Sequence, residues 1–409
     1  MKNKKEKIDQ IRKQIIEDLK FKEELSDENM KELISRYLLE KDVITEFTLK
    51  ERKSIGKEIF DSLRKMDVLQ DLLEDEDITE IMVNGPNHIF VERKGKITKI
   101  DREFNSKENL LQIINYITAR CNREVNESSP IVDARLSTGE RVNVVLSPIA
   151  LNGPILTIRR FPKIPMSMER LMQFGAIHEE AAEFLKKAVR AKYNIIVSGG
   201  TGSGKTSFLN ALSQYIPSEE RIITIEDSAE LQLQGIENLI RMETRIMNIE
   251  GGKNITIRDL IKTSLRMRPD RILVGEVRGE EAMDMVGSAM NCGHDGSMST
   301  IHANSSADVL SRLENMFLMA SEIPIDAIRR QIASGIDLMI HLGRLRDKSR
   351  KILEITEVIG MEAGEVVLNP LYIFQENPGK VGSKVEGGLI KVGKMVHTRK
   401  MEIAGIKSY

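Results

Sequence analysis

Gly199-Gly200-Thr201-Gly202-Ser203-Gly204-Lys205-Thr206 fits the pattern G-x4-G-K-[ST], and its neighbours fit the context the pattern needs. An apolar run, Ile195-Ile196-Val197, precedes it as a strand, and residues 207–214 read as the helix it opens. The chemistry follows from the residue types. Glycines let the chain turn tightly enough for successive N–H groups to converge on phosphate oxygens. The helix N-terminus adds partial positive charge. Lys205 can reach the outer phosphates, and the Thr206 hydroxyl can ligate Mg²⁺. Gly200, Thr201, Gly202, Ser203, Gly204, Lys205, Thr206 and Ser207 are therefore the candidate nucleotide-binding residues. The competing reading is a glycine-rich turn that matches by chance, and the flanking strand and helix argue against it.

Outward from this loop, helices alternate with short apolar strands at Ile222-Ile223-Thr224-Ile225, Arg271-Ile272-Leu273-Val274 and, less clearly, residues 296–301. Buried strands separated by helices predict an α/β domain with a parallel sheet covered on both faces. In such sheets ligands gather at the carboxyl ends of the strands, and three motifs fall there. Ile225-Glu226-Asp227-Ser228-Ala229-Glu230 places carboxylates where a strand ends; it reads equally as a solvated acidic loop. In Leu273-Val274-Gly275-Glu276, Gly275 takes the place where an aspartate often stands, so Glu276 is the candidate for Mg²⁺ and for positioning water. His302, in Ser299-Thr300-Ile301-His302-Ala303-Asn304, ends a fourth strand at the same edge, within reach of a γ-phosphate or of Glu276. His294 lies nearer the start of that strand and reads as structural.

The chain has 409 residues, enough for two or three domains. Residues 1–68 read as a helical N-terminal extension with apolar stripes at Ile8, Ile11, Ile15 and Leu19, at Met30, Leu33, Ile34, Tyr37 and Leu38, and at Ile59, Leu63, Met66 and Leu69. The stripes fit a small bundle packing on its own chain better than a docking module. Residues 69–161 read as a smaller α+β domain, with hairpins around Asn84-Gly85-Pro86-Asn87 and Ser137-Thr138-Gly139-Glu140 and a helix over residues 107–120. Two prolines in Phe161-Pro162-Lys163-Ile164-Pro165-Met166 place a linker at residues 162–176, with the hinge at 161–168. Residues 177–409 read as the α/β domain that carries the P-loop, with a tail of short strands. Arg135, Arg141, Arg159 and Arg160 precede the linker. Arginine's planar fork suits phosphate, although surface salt bridges use the same residues.

Composition narrows the function classes. Acidic and basic residues cancel to a formal charge of −1, so no global basic field draws nucleic acid or an anionic membrane. Cys121 and Cys292 are far apart and lack metal-ligand spacing, which argues against disulfides and zinc. No stretch approaches the ~18 to 20 apolar residues of a membrane span, and the charged N-terminus lacks a secretory signal's apolar core. Any membrane role is expected to be peripheral.

The order GGTGSGKT, ITIEDSAEL, RPDRILVGEVRG and GHDGSMSTIHANS resembles the type II/type IV secretion ATPase superfamily, and within it the CpaF group of Tad (Flp-type) pilus assembly ATPases. IVDARLSTGERVNVVLSP and LTIRRF match the same pattern, and the likeness covers about residues 70 to 370. It implies a RecA-like P-loop NTPase domain and a homo-hexamer using ATP and Mg²⁺. Such rings work at the cytoplasmic face of the inner membrane through a polytopic platform protein. It implies that Glu226 belongs to the Asp box, that Glu276 is the catalytic glutamate and that His302 belongs to the His box. It implies phosphate contacts for Arg141 and Arg159, with Arg135 a further candidate. Residues 377–409 match too loosely for a role.

Two rival functions remain at this level. A nucleic-acid-dependent motor needs a basic channel and usually aromatic stacking surfaces, whereas this chain has no Trp and 4% aromatics. A nucleotide-binding scaffold without turnover has no need of Glu226, Glu276 and His302 beside the P-loop.

Overall fold

The structure is a computed structural model describing residues 8, 11, 14–15, 27–64, 68–93, 95–121, 123–136, 138–160, 165–245, 254–377 and 384–407. The chain divides into two units, Met1–Pro162 and Lys163–Tyr409.

In the first unit, helices Asp27–Leu38, Lys41–Glu46 and Leu49–Arg64 close on one another. Met30, Leu33, Ile34 and Leu38 meet Ile55, Ile59 and Phe60, with Ile11 and Ile15 beneath the same cluster. These stripes are spent on their own chain. Of the predicted stripe positions, Leu19 and Met66 lie outside the described residues. Of the predicted third stripe, Leu69 lies in helix Val68–Glu74, which sends it and Leu72 into the next core.

That core lies under an antiparallel sheet ordered β3-β2-β1-β6-β5-β4, comprising β1 (Ile78–Asn84), β2 (Ile89–Arg93), β3 (Lys96–Lys99), β4 (Ile131–Arg135), β5 (Arg141–Val145) and β6 (Ile155–Arg159). Helix Lys107–Arg120 starts where Ser106 Oγ accepts from Asn109 N at 3.1 Å. It buries Leu110, Ile113, Ile114 and Ile117 against Ile81, Val142, Leu156 and Ile158. Because strand side chains alternate, the residues between these face the other way. Arg160 is consumed structurally: its Nη1 donates to the carbonyls of Asp75 and Ile78, fastening the end of helix Val68–Glu74.

In the second unit, β7 (Ile195–Gly199), β8 (Ile222–Glu226), β9 (Leu239–Glu243), β10 (Arg271–Val277), β11 (Met298–Ile301) and β12 (Leu338–Arg344) run parallel in the order β12-β7-β11-β10-β8-β9. Every residue of β7, β8 and β11 is buried. Period-2 alternation divides them between two cores. Ile195, Val197 and Leu273 meet helices Glu179–Arg190 and Lys205–Ser213. Ile196, Ile223, Ile225 and Val274 meet helices Ile257–Ser264, Ser306–Ala320 and Ile325–Gly335. At the end of the sheet opposite the strands' carboxyl ends, fully buried Arg271 makes two bonds to Glu220, at 2.6 and 2.9 Å, and one to Val189 O at 2.6 Å. Gly296 is required beside it, since a Cβ there would lie 2.5 Å from Arg271 Nη1.

Three expectations are corrected. The sheet is mixed, because β13 (Arg350–Glu362), β14 (Glu365–Glu376) and β15 (Gly387–Lys391) continue it antiparallel beyond β12. The tail strands are long, with 13 and 12 residues in β13 and β14, joined through Ala363 and Gly364 at φ +51° and +85°. Both values are positive, as a tight two-residue hairpin requires. The linker is shorter than 162–176. Residues 161–164 lie outside the described residues, but helix Met168–Gln173, capped by Ser167 Oγ, already buries Met168 in the second unit's core.

The last segment is also locked in. Glu357 of β13, buried, accepts from Val396 N at 2.9 Å, His397 N at 2.7 Å and Asn369 Nδ2 at 2.8 Å. Tyr193 Oη donates to His397 O at 2.6 Å, and Lys400 Nζ reaches Asp337 and Asp295, each at 2.7 Å. Among the described residues no helix is long and apolar enough to cross a membrane.

Candidate functional site

The carboxyl ends of β7, β8, β10 and β11 bring the predicted motifs to one edge. At the end of β7 the chain turns at Gly199, where a Cβ would lie 2.4 Å from Leu342 O and 2.6 Å from Ser203 Oγ. Only glycine fits. Gly202 and Gly204 have φ +70° and +96°, a left-handed backbone that favours glycine. The loop then enters helix Lys205–Ser213, whose first N–H groups have no partner within the helix. Gly200, Thr201, Gly202, Ser203, Gly204, Lys205, Thr206 and Ser207 are thus contiguous on this loop and first helical turn. Ser203 Oγ is buried without a hydrogen-bond partner among the described residues.

Lys205 Nζ donates to Gly199 O at 3.0 Å and Gly200 O at 3.2 Å, and lies 3.3 Å from His302 Nε2 and 3.4 Å from its Nδ1. His302 follows β11 and places Nε2 2.9 Å from Glu276 Oε1. Burial, above all, pushes the imidazole's pKa down; Glu276 opposes this, while Lys205, Arg312 and Arg278 add to it. A neutral ring can donate Nε2–H to Glu276 and still accept from Lys205. Lys205, His302 and Glu276 therefore form one connected chain, and Glu276 keeps about a quarter of its side chain exposed.

Glu226 occupies a different environment. It is buried, and its Oε2 accepts from Glu230 N at 2.7 Å and Leu231 N at 2.8 Å, holding the loop after β8. Its Oε1 has no partner among the described residues. Gly275 explains the missing aspartate: a Cβ there would lie 3.0 Å from Glu226 Cγ, so the acid's stem fills the space a side chain at 275 would need. Burial pushes the Glu226 carboxyl up to about 7, with the two amides opposing. A raised acid is penalised when ionised, so its contribution to stability falls as pH rises from its ordinary value of 4.5 through about 7. Glu226→Gln keeps an oxygen for the two amides. Its melting temperature relative to the parent should rise between pH 5 and pH 8, by an amount worth on the order of 3 kcal/mol at most. Melts at the two pH values check this, and an equal difference at both would refute the shift.

Arg278 links the two acidic motifs. Its Nη2 lies 2.7 Å from Asp227 Oδ2 and 3.7 Å from Glu276 Oε2.

The three candidate arginines lie in the first unit, and strand register puts them in one row. Arg135 pairs with Arg141 across β4 and β5, and Arg141 pairs with Arg159 across β5 and β6. Directly opposed residues share a face with Cβ atoms about 4.5–5.5 Å apart, and like charges so placed repel. Local acceptors relieve this in part, since Arg135 Nε donates to Gly139 O at 3.1 Å and Arg141 lies 3.8 Å from Asp133. The row continues to Glu80 on β1, opposite Arg159. Burial raises that carboxyl's pKa, with Glu92 adding and Arg159 opposing. A row of three guanidinium groups suits an anion carrying several charges.

For Mg²⁺ the donors fit its preference for oxygen: the Thr206 hydroxyl at the loop's end and the Glu276 carboxylate at the same edge. No group of three His, Cys, Asp or Glu stands together as a metal cage among the described residues. An ion here would be carried largely by phosphate and water, as Mg²⁺ usually is.

Comparison with known proteins bears on this arrangement. The sequence profile described as "Type II/IV secretion system protein" matches residues 63–375. The type IV secretion system protein VirB11 of Brucella suis is 31% identical over 304 residues, spanning 68% of this chain and 84% of that protein. A putative conjugal transfer protein of Mycobacterium tuberculosis is 31% identical over 294 residues, spanning 70% of this chain and 83% of that one. Among solved structures, the ATPase DotB of Legionella pneumophila aligns with a TM-score of 0.51 at 22% identity, over 71% of this chain and 80% of that one, a likeness of fold.

Proposed function

This chain belongs to the Type II/IV secretion system protein family and is an ATP-hydrolysing enzyme with a RecA-like domain, and we propose that it is the cytoplasmic motor of a Tad/Flp-type pilus or secretion machine. In this reading it acts as a homo-hexamer, peripheral at the inner face of the cytoplasmic membrane, driving a polytopic platform protein. The observation that carries the reading is the connected chain Lys205–His302–Glu276 at the mouth of the P-loop.

In the proposed mechanism, the P-loop amides and the helix N-terminus hold the phosphates of ATP. Lys205 exchanges its loop carbonyls for phosphate oxygens. Thr206 directly and Glu276 through water would hold Mg²⁺, which would supply charge neutralisation on the phosphates. Glu276, oriented by neutral His302, accepts a hydrogen bond from the attacking water and takes its proton as the water oxygen bonds to the γ-phosphorus and the bond to ADP breaks. Of the two acids, Glu276 suits this role because it is partly exposed and joined to the lysine. Glu226 is buried and engaged by amides, so it acts as a positioning residue. The row Arg135, Arg141 and Arg159 is offered to the phosphates, where arginine neutralises transition-state charge. Loss of the γ-phosphate removes those contacts and biases the domains toward opening.

The test is phosphate release and particle mass on the purified full chain with Mg·ATP. Six-subunit rings whose turnover rises with the cytoplasmic part of a platform protein are expected. Strong stimulation by single-stranded DNA or RNA instead would favour a nucleic-acid motor. Rings with no phosphate release above background would make the chain a scaffold.

A further inference from the structure

A residue far from every P-loop motif reaches the loop from its other flank. In the sheet β7 stands between β11, which carries His302 at its end, and β12. Leu342 of β12 pairs with Gly199, so the β12–β13 hairpin lies directly beside the loop. The first residue of β13, Arg350, donates from Nε to Gly202 O at 2.8 Å. Its Cδ stands 3.5 Å from where a Cβ on Gly204 would be.

The hairpin tip is rigidly built. Leu345 N donates to Ser349 O at 2.8 Å across the turn. Asp347 accepts from Ser349 N at 2.9 Å, Ser349 Oγ at 2.6 Å and, on its other oxygen, Val385 N at 2.9 Å. The Ser349 hydroxyl, foremost among these donors, pushes the Asp347 carboxyl down to about 2. Two of the neighbouring cations are committed: Arg346 pairs with Glu376, and Lys351 Nζ donates to Gly175 O at 2.6 Å. Arg350 differs. It is exposed, spends one N–H on Gly202, and makes no other bond or ion pair among the described residues. Both its Nη groups are available beside a phosphate-binding loop.

We propose that Arg350 is a nucleotide-binding residue supplied by the ATPase domain itself. Its Nε braces the tip of the P-loop, and its two Nη groups take phosphate oxygens of a nucleoside di- or triphosphate from the flank opposite Glu276 and His302. The proposal rests on the P-loop reading above. Guanidinium binds phosphate through paired N–H donors. Standing away from the residues assigned to water and γ-phosphate, Arg350 should stabilise ground and transition states alike, which appears in KM.

The test is calorimetry of the full chain with Mg·ADP and with a non-hydrolysable Mg·ATP analogue, alongside steady-state kinetics. Arg350→Gln is the decisive variant, because glutamine's amide nitrogen stands as many bonds from Cα as arginine's Nε and can keep the bond to Gly202. Removing only the Nη pair should weaken both nucleotides about 10- to 100-fold, the range for a hydrogen bond to a charged group. KM should rise more than kcat falls. Arg350→Ala should do the same. Arg350→Gln binding like the parent would overturn the proposal, leaving Arg350 at most a brace for the loop. Lys205→Ala separates the two readings. If it loses nucleotide while the Arg350 variants keep it, only this inference fails. If it too binds normally, the P-loop reading fails.

Discussion

Glu276→Gln is expected to lower kcat by about 10² to 10⁴, the range a positioned general base contributes, while Mg·ATP affinity stays within a few-fold. The isosteric amide can keep a hydrogen bond to His302 Nε2, so the Lys205–His302 contact and the loop should persist. What is lost is the negative charge that accepts the water's proton. Single-turnover phosphate release, with nucleotide affinity measured in parallel, separates the two effects. Glu226→Gln provides the contrast: if Glu226 were the base, its replacement would stop the chemistry and Glu276→Gln would not. Comparable turnover in Glu276→Gln and parent protein would remove Glu276 from the reaction.

Lys205→Ala should reduce kcat/KM by at least about 10²- to 10³-fold, the loss typical of deleting one preorganised charge-stabilising donor. Here the deletion also releases Gly199 O, Gly200 O and His302 from a shared partner. The loss should therefore fall on binding as well as on turnover, unlike that of Glu276→Gln. Phosphate release and nucleotide calorimetry measure it, and near-normal turnover would refute the assignment of the loop.

The site was legible wherever its residues lie in short contiguous motifs. The P-loop, Glu276 and His302 each follow an apolar strand, and a strand followed by a chemical residue is a local pattern. What escaped depends on register between distant segments. Arg350 lies 148 residues from its Gly202 partner, in a hairpin that reads as an ordinary charged turn. Gly275 reads as a departure until Glu226, on the neighbouring strand, is seen to fill its space. The arginines before residue 161 were visible individually. Only strand pairing separates the aligned three from Arg160, which is spent on carbonyls. In the fold, β9 and β12 were missed and β13 and β14 were underestimated. Glu357, Asn369 and Pro370 interrupt the apolar alternation on which strand reading depends.

Glu357 has a practical consequence. Its carboxylate lies inside the sheet and is solvated by three donors, from residues 369, 396 and 397, two of them near the end of the chain. Shortening the protein to residue 393, as a crystallographer trimming a weakly matching tail would be tempted to do, removes two of that buried anion's three donors. Breaking a buried charge away from its partners costs roughly 3–5 kcal/mol, a large share of what keeps an ordinary domain folded. The last sixteen residues thus act as a closing latch on the ATPase domain, and a truncated preparation that precipitates would say nothing against the enzyme.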